Sequence, residues 1–217
     1  MSIIAHLFFA SSLVCVSEVS FRMPSDVQDD DSAVAVKLED FSSVIYPASE
    51  GKASLQKRVE EAKAEVEAQI KRLEGGIGSY YEYYSAVGNV LCLQFALNRA
   101  EYPQPKLTQR QVLLAEDIKD NFQKRIRFLA NAHSAGIVSE VELINLKINA
   151  LLFERKVLLL SSSVPNAVVS VQEKIVNETQ ALLDVRRKQE GLTTGEELMA
   201  AERLFAREKD RLAKMKS

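Results

Sequence analysis

From Ser54 onward, apolar residues recur every three or four positions. Leu55, Val59, Ala62, Val66, Ile70, Leu73, Ile77, Tyr80, Tyr84, Val87, Leu91 and Phe95 follow one another at that spacing. Alternating steps of three and four put such residues on one seam of a helix, the pattern of a coiled coil. Two places carry successive steps of four, Ala62 to Val66 to Ile70 and Val87 to Leu91 to Phe95, and these stutters locally unwind a left-handed supercoil. The seam stays in phase across Gly75, Gly76 and Gly78. Each glycine costs about 1 kcal/mol relative to alanine inside a helix. The spacing therefore predicts one long helix with a weak point at the glycines. It ends where Asn98 falls on the seam and Pro103 and Pro105 follow.

Later helices are punctuated by capping chemistry. Thr108 and Gln111 form a capping-box pattern ahead of a stripe of Leu114, Ile118, Phe122, Ile126 and Leu129. Gly136 closes that helix, and Ser139 with Glu142 opens the next. The new helix carries Val141, Ile144, Ile148, Leu151 and Leu158 on one face. Leu146, Phe153, Val157 and Leu160 widen the apolar surface, which predicts packing on two sides. Pro165 stops it. A helix over 167–190 uses Val168, Val171, Ile175, Leu182 and Val185. Gly191, Thr194 and Glu197 then repeat the turn, and a last helix uses Leu198, Phe205, Leu212 and Met215. The segments after Gly136 and Gly191 share an aliphatic residue, a Ser/Thr cap and a Glu-Leu pair. Repeated capping chemistry and an internal duplication both account for that.

The N-terminal region reads differently. Residues 3–16 are almost wholly apolar, interrupted by His6, Ser11 and Ser12. That run is too short to span a bilayer and suits a secretory signal peptide over 1–17, with Cys15 and Ser17 as the small residues before cleavage. A buried or interfacial N-terminal segment is the alternative. Residues 18–52 form an acidic linker with one strand pattern, in which Val34, Val36 and Leu38 alternate with Ala35, Lys37 and Glu39. Residues 53–217 form an elongated helical coiled-coil domain. The expected fold is mainly all-α, with long antiparallel coiled-coil hairpins and one short N-terminal β segment.

Composition narrows the function. Eight glycines and five prolines in 217 residues are too few for the turns of an all-β chain. A net charge of −2 provides no basic field for nucleic acid. His6, His133, Cys15 and Cys92 do not cluster at metal-ligand spacing. Cys92 reads as a packing residue, and His133 as a helix-end residue favoured by the C-terminal dipole. There is no phosphate loop, nucleophile elbow or paired-carboxylate pattern, so no catalytic, cofactor or metal residue is expected and the chain reads as a non-enzyme. The charged residues read as solvated faces and i,i+4 pairs. Tyr80, Tyr81, Tyr83 and Tyr84 crowd one stretch of helix. They form either an aromatic contact surface or a packed pair, Tyr80 and Tyr84, with the other two at its margins.

Several segments resemble the TolC-like outer-membrane export channels. Residues 135–143 look like that family's glycine turn and Ser-capped return helix, and the stretch from Leu146 to Leu160 like the helix itself. Residues 47–51 followed by 59–64 are similar to its entry into a long periplasmic helix, and Tyr83 with Tyr84 to its mid-helix tyrosine. The resemblance covers about residues 44–160. It implies a segment of an α-helical export channel with no chemistry of its own, in a homo-oligomer. A periplasmic adaptor and an inner-membrane pump would be its partners, with an outer-membrane association and no nucleic acid. Gly136, Ser139, Glu142, Gly191, Thr194 and Glu197 would then be the hairpin-turn and partner-contact residues. Arg125, Leu129 and Ser139 also resemble the hairpin of an HlyD-type periplasmic adaptor. An intracellular coiled-coil scaffold is the other class the same helices would serve. The compartment follows the leader: cell envelope if it is a signal peptide, cytoplasm otherwise.

Overall fold

The computed structural model describes residues 51–161, 165–189 and 193–216. The leader, the acidic linker and the 33–39 strand pattern lie outside the described residues. Six helices are present among those described: α1 (Lys52–Glu74), α2 (Tyr80–Glu101), α3 (Gln109–Ser134), α4 (Glu140–Leu160), α5 (Pro165–Lys188) and α6 (Gly195–Lys216). They account for 86% of the described residues, so the helical class is as expected. Pro165 is the first residue of α5, a position where its missing N–H is not needed by the helix.

The expected single helix over 54–95 is two helices. Gly76 takes φ 71°, a left-handed conformation that glycine adopts without a Cβ clash. Its N–H donates to the Leu73 carbonyl at 3.1 Å, and the Ile77 N–H reaches back to the Arg72 carbonyl at 3.0 Å. These are the two bonds of a Schellman stop. Ser79 then caps α2 by accepting from the Tyr81 N–H at 3.1 Å. The turn also explains Gly78, where a Cβ would lie 2.7 Å from the Leu73 nitrogen. Ile77 and Tyr80 keep the seam's spacing but are 82% and 63% exposed.

The helices pack chiefly on their chain neighbours, running antiparallel. Lys52 meets Glu101 at 3.1 Å, Lys119 meets Glu154 at 3.2 Å and Arg187 meets Glu202 at 3.1 Å. Three apolar clusters fill the spaces. Leu55, Val59 and Ala62 of α1 meet Leu93 and Ala96 of α2. Cys92 and Phe95 of α2 meet Ile118, Phe122 and Leu129 of α3 and Leu143, Leu146 and Phe153 of α4. Val141, Ile144 and Ile148 on the other side of α4 meet Leu182 and Val185 of α5 and Ala201 and Leu204 of α6. Helix α4 therefore packs on two sides, as its wide apolar surface predicts. The terminal helices turn Lys57, Glu60 and Glu61 of α1, and Glu202, Arg203 and Lys209 of α6, to the exterior.

Polar groups fix the α2–α3 crossing at two places. Gln111 is fully buried, and its Oε1 accepts from the Thr108 N–H at 3.0 Å in the expected capping box. Its Nε2 also donates to the Asn98 carbonyl at 3.2 Å, so one side chain serves the end of α2 and the start of α3. Asn121 of α3 donates to the Tyr84 carbonyl of α2 at 2.9 Å. It fits because residue 88 is glycine: a Cβ there would lie 2.6 Å from Asn121 Oδ1. Gly88→Ala should therefore destabilise by about 1–2 kcal/mol in urea titration, despite alanine's better helix propensity. In an Asn121→Ala background the same change should be neutral or stabilising, since the obstructing amide is gone. Additive losses in the two variants would contradict this packing.

Candidate partner-binding edge

The three hairpin turns lie along one edge of the helical array. Ser79 of the first turn and Val138 of the second line the same groove. Val141 at the start of α4 shares its cluster with Val185 and Ala201, which flank the third turn. At the second turn Gly136 takes φ 72°, its N–H donates to the His133 carbonyl at 2.9 Å, and the Ile137 N–H donates to the Ala132 carbonyl at 2.9 Å. This is the same stop as at Gly76. Ser139 accepts from the Glu142 N–H, and the Glu142 carboxylate accepts from the Ser139 N–H, both at 3.2 Å. Thr194 and Glu197 make the equivalent pair at 3.2 and 3.0 Å. The bond from the Thr194 N–H, and then the Arg186 guanidinium 3.4 Å away, hold the Glu197 carboxyl below the ordinary carboxylate range. Gly191 lies outside the described residues.

The described turn residues Gly136, Ser139, Glu142, Thr194 and Glu197 thus lie on one edge, but the polar groups of the last four are used within their own caps. The side chains offered outward are ones the periodicity had assigned elsewhere or passed over. Ile137 is 77% exposed and joins Ile77 and Tyr80 on this edge. The signal was present in the chain: Gly76, Ile77, Gly78, Ser79 follow the same glycine, isoleucine, any residue, serine order as Gly136 to Ser139. Loss of the Ser139 cap in Ser139→Ala should cost about 1 kcal/mol. Gly136→Val should cost about 2 kcal/mol, since a β-branched residue resists positive φ. Thermal melts at the wild-type temperature for both would contradict the turn.

Between α2, α3 and α4, just inside this edge, lies a groove of about 560 Å³. Tyr81 and Phe128 form an aromatic wall, their rings stacked 5.8 Å apart at 26°. Leu129 and Leu146 lie deeper. The buried Arg125 guanidinium sits 5.5 Å from the Tyr81 ring and 5.9 Å from the Phe122 ring. Asn145 also lines the groove, and its Oδ1 is shielded from solvent with no hydrogen-bond partner. Of the packed pair suggested by spacing, Tyr84 is half-buried and Tyr80 is not. Tyr81 packs and Tyr80 is exposed, because the turn resets the helical phase. His133 is in the last turn of α3 as expected, and its Nδ1 lies 3.1 Å from the Val138 carbonyl across the turn.

A second polar cluster departs from the reading of charges as solvated faces. Glu208 of α6 is fully buried. Its Oε2 accepts from Arg155 of α4 at 2.5 Å and from Gln172 of α5 at 3.0 Å; Arg211 reaches its Oε1 at 3.0 Å. Gln172 also donates to the Glu208 carbonyl at 2.9 Å. Burial opposes the charged form of Glu208, but Arg155, Gln172 and Arg211 together outweigh it and set the carboxyl below its ordinary value. With its oxygens answered, this cluster ties three helices together.

Among the described residues, no group of His, Cys, Asp and Glu is placed to hold a metal ion, and no helix is long and apolar enough to cross a membrane. No protein-family model, curated protein or solved structure matches the chain.

Proposed function

We propose that this protein is a non-enzymatic scaffold of three helical hairpins that binds a partner through its turn edge. The observation that carries the reading is the set of apolar side chains there, Ile77, Tyr80 and Ile137, 82%, 63% and 77% exposed beside a partly apolar groove. Apolar surface left open next to a concave, aromatic-walled site is what a docking surface requires. The charged outer faces of α1 and α6 argue against growth by end-to-end stacking, so the turn edge is the better candidate. In this reading the helices meet along their three-four seams as short antiparallel coiled coils, and the 33–39 segment serves as a β-pairing element.

The export-assembly reading is the second. What favours it is the Gly136 to Ser139 turn, whose stop and cap are of the kind the TolC-like resemblance requires at a hairpin tip facing an adaptor. It would make the protein a homo-oligomer in the cell envelope. The turn at Gly76 counts against it, because the long helix of such a channel wall would run on there.

A photo-crosslinking residue placed at Ile77 or Ile137 in the native host tests the scaffold reading. Both positions should give one discrete adduct, and Lys209 on the outer face of α6 should give none. An adduct of twice the chain mass identifies a second copy as the partner. Indistinguishable yields from all three positions would sink the proposal.

A further inference from the structure

We propose that the groove between α2, α3 and α4 is a subsite for a tryptophan side chain of the partner. This rests on the turn edge being a docking surface and names what is held there. The groove, about 560 Å³, falls within the roughly 300–1,000 Å³ of binding pockets and exceeds what one indole fills, leaving space for flanking residues. Its aromatic wall of Tyr81 and Phe128 presents stacked rings against which a planar group can lie. Arg125 lines the groove and places a cation beside the Tyr81 ring, and of the natural side chains indole is the best acceptor of a cation on its face. The third feature is the Asn145 amide. Its oxygen has no partner, an arrangement that is unfavourable in a shielded position unless something donates to it. The terminal torsion of asparagine is soft, so the amide can turn that oxygen to a ligand in the groove it already lines. An indole combines the apolar plane, the electron-rich face and a single N–H donor. Phenylalanine lacks the donor. The chain contains no tryptophan, so a second copy cannot supply this group and the occupant belongs to a different protein.

The absence of tryptophan also makes the test direct, since ligand fluorescence has no background from the protein. N-acetyltryptophanamide titrated with the full chain should show a saturable blue shift in the millimolar range. Its N1-methyl analogue, which keeps the ring and loses the N–H, should bind about tenfold more weakly, the loss expected when a buried acceptor goes unanswered. N-acetylphenylalaninamide should compete no better than the methyl analogue. Asn145→Leu should abolish the difference between the two indoles. The comparison of ligands on the wild-type protein stands even if that variant fails to fold. Equal binding of all three ligands, or no saturable binding by N-acetyltryptophanamide, overturns the proposal. If binding fails while Ile137 still crosslinks to a partner, the edge is right and the occupant wrong. If both fail, the docking surface itself is wrong.

Discussion

Phe153→Ala should destabilise the protein by about 4 kcal/mol, the loss expected for a fully buried aromatic at the meeting point of several helices. Phe153 is 1% exposed; its ring meets Phe95 of α2 edge-on at 5.8 Å and Phe122 of α3 at 6.2 Å. Truncation removes the shared wall of three helices, and residues on three different backbones cannot all relax into the space. Phe128, 39% exposed at the groove, is the control: Phe128→Ala should change stability by about 1 kcal/mol or less. Urea titrations of both variants check this. Equal losses would mean that α4 is not the centre of the packing.

Arg155→Ala should cost about 3 kcal/mol, because it removes the α4 member of a buried network and leaves Glu208 incompletely compensated. The network also fixes the direction of the pH response. With the folded carboxyl below the ordinary value of 4.5, the unfolded chain binds more protons over the interval between the two values, and stability rises with pH there. The contribution is fully present above pH 4.5 and is lost as pH falls through the depressed folded value. Glu208→Gln should therefore flatten the acid limb of the stability curve while lowering the plateau above it. An unchanged acid limb would show that other carboxylates set it.

These residues also show what the sequence exposes and what it hides. Capping boxes are local, so Thr108 with Gln111, Ser139 with Glu142 and Thr194 with Glu197 were legible as helix starts. The two-sided packing of α4 was legible from its wide apolar surface. Glu208 was not: it stands four residues after Leu204 on the buried face, and only the opposing Arg155 and Gln172 make burial of a carboxylate tolerable. Those partners lie on other helices, 53 and 36 positions away in the chain. The turn at Gly76 was hidden for a different reason. Ile77 and Tyr80 continue the three-four rhythm even though the backbone reverses there, so periodicity outweighed a glycine cluster that was the better guide. The groove went unseen because Tyr81, Arg125, Phe128 and Asn145 come from three helices whose juxtaposition depends on that turn.

That reversal separates a scaffold with a docking edge from a long channel-wall helix, and one distance decides between them. Spin labels at Gln56→Cys and Glu101→Cys, in a chain with Cys15→Ser and Cys92→Ala, report it by pulsed electron paramagnetic resonance. The hairpin places Lys52 against Glu101 at 3.1 Å and Leu55 in one cluster with Ala96. The labels should then lie within about 25 Å, which is the interaxial spacing of roughly 8–10 Å extended by two label arms. A continuous helix would hold them about 68 Å apart at 1.5 Å per residue. A distribution centred at the short distance is the expected result; one centred at the long distance would contradict the account.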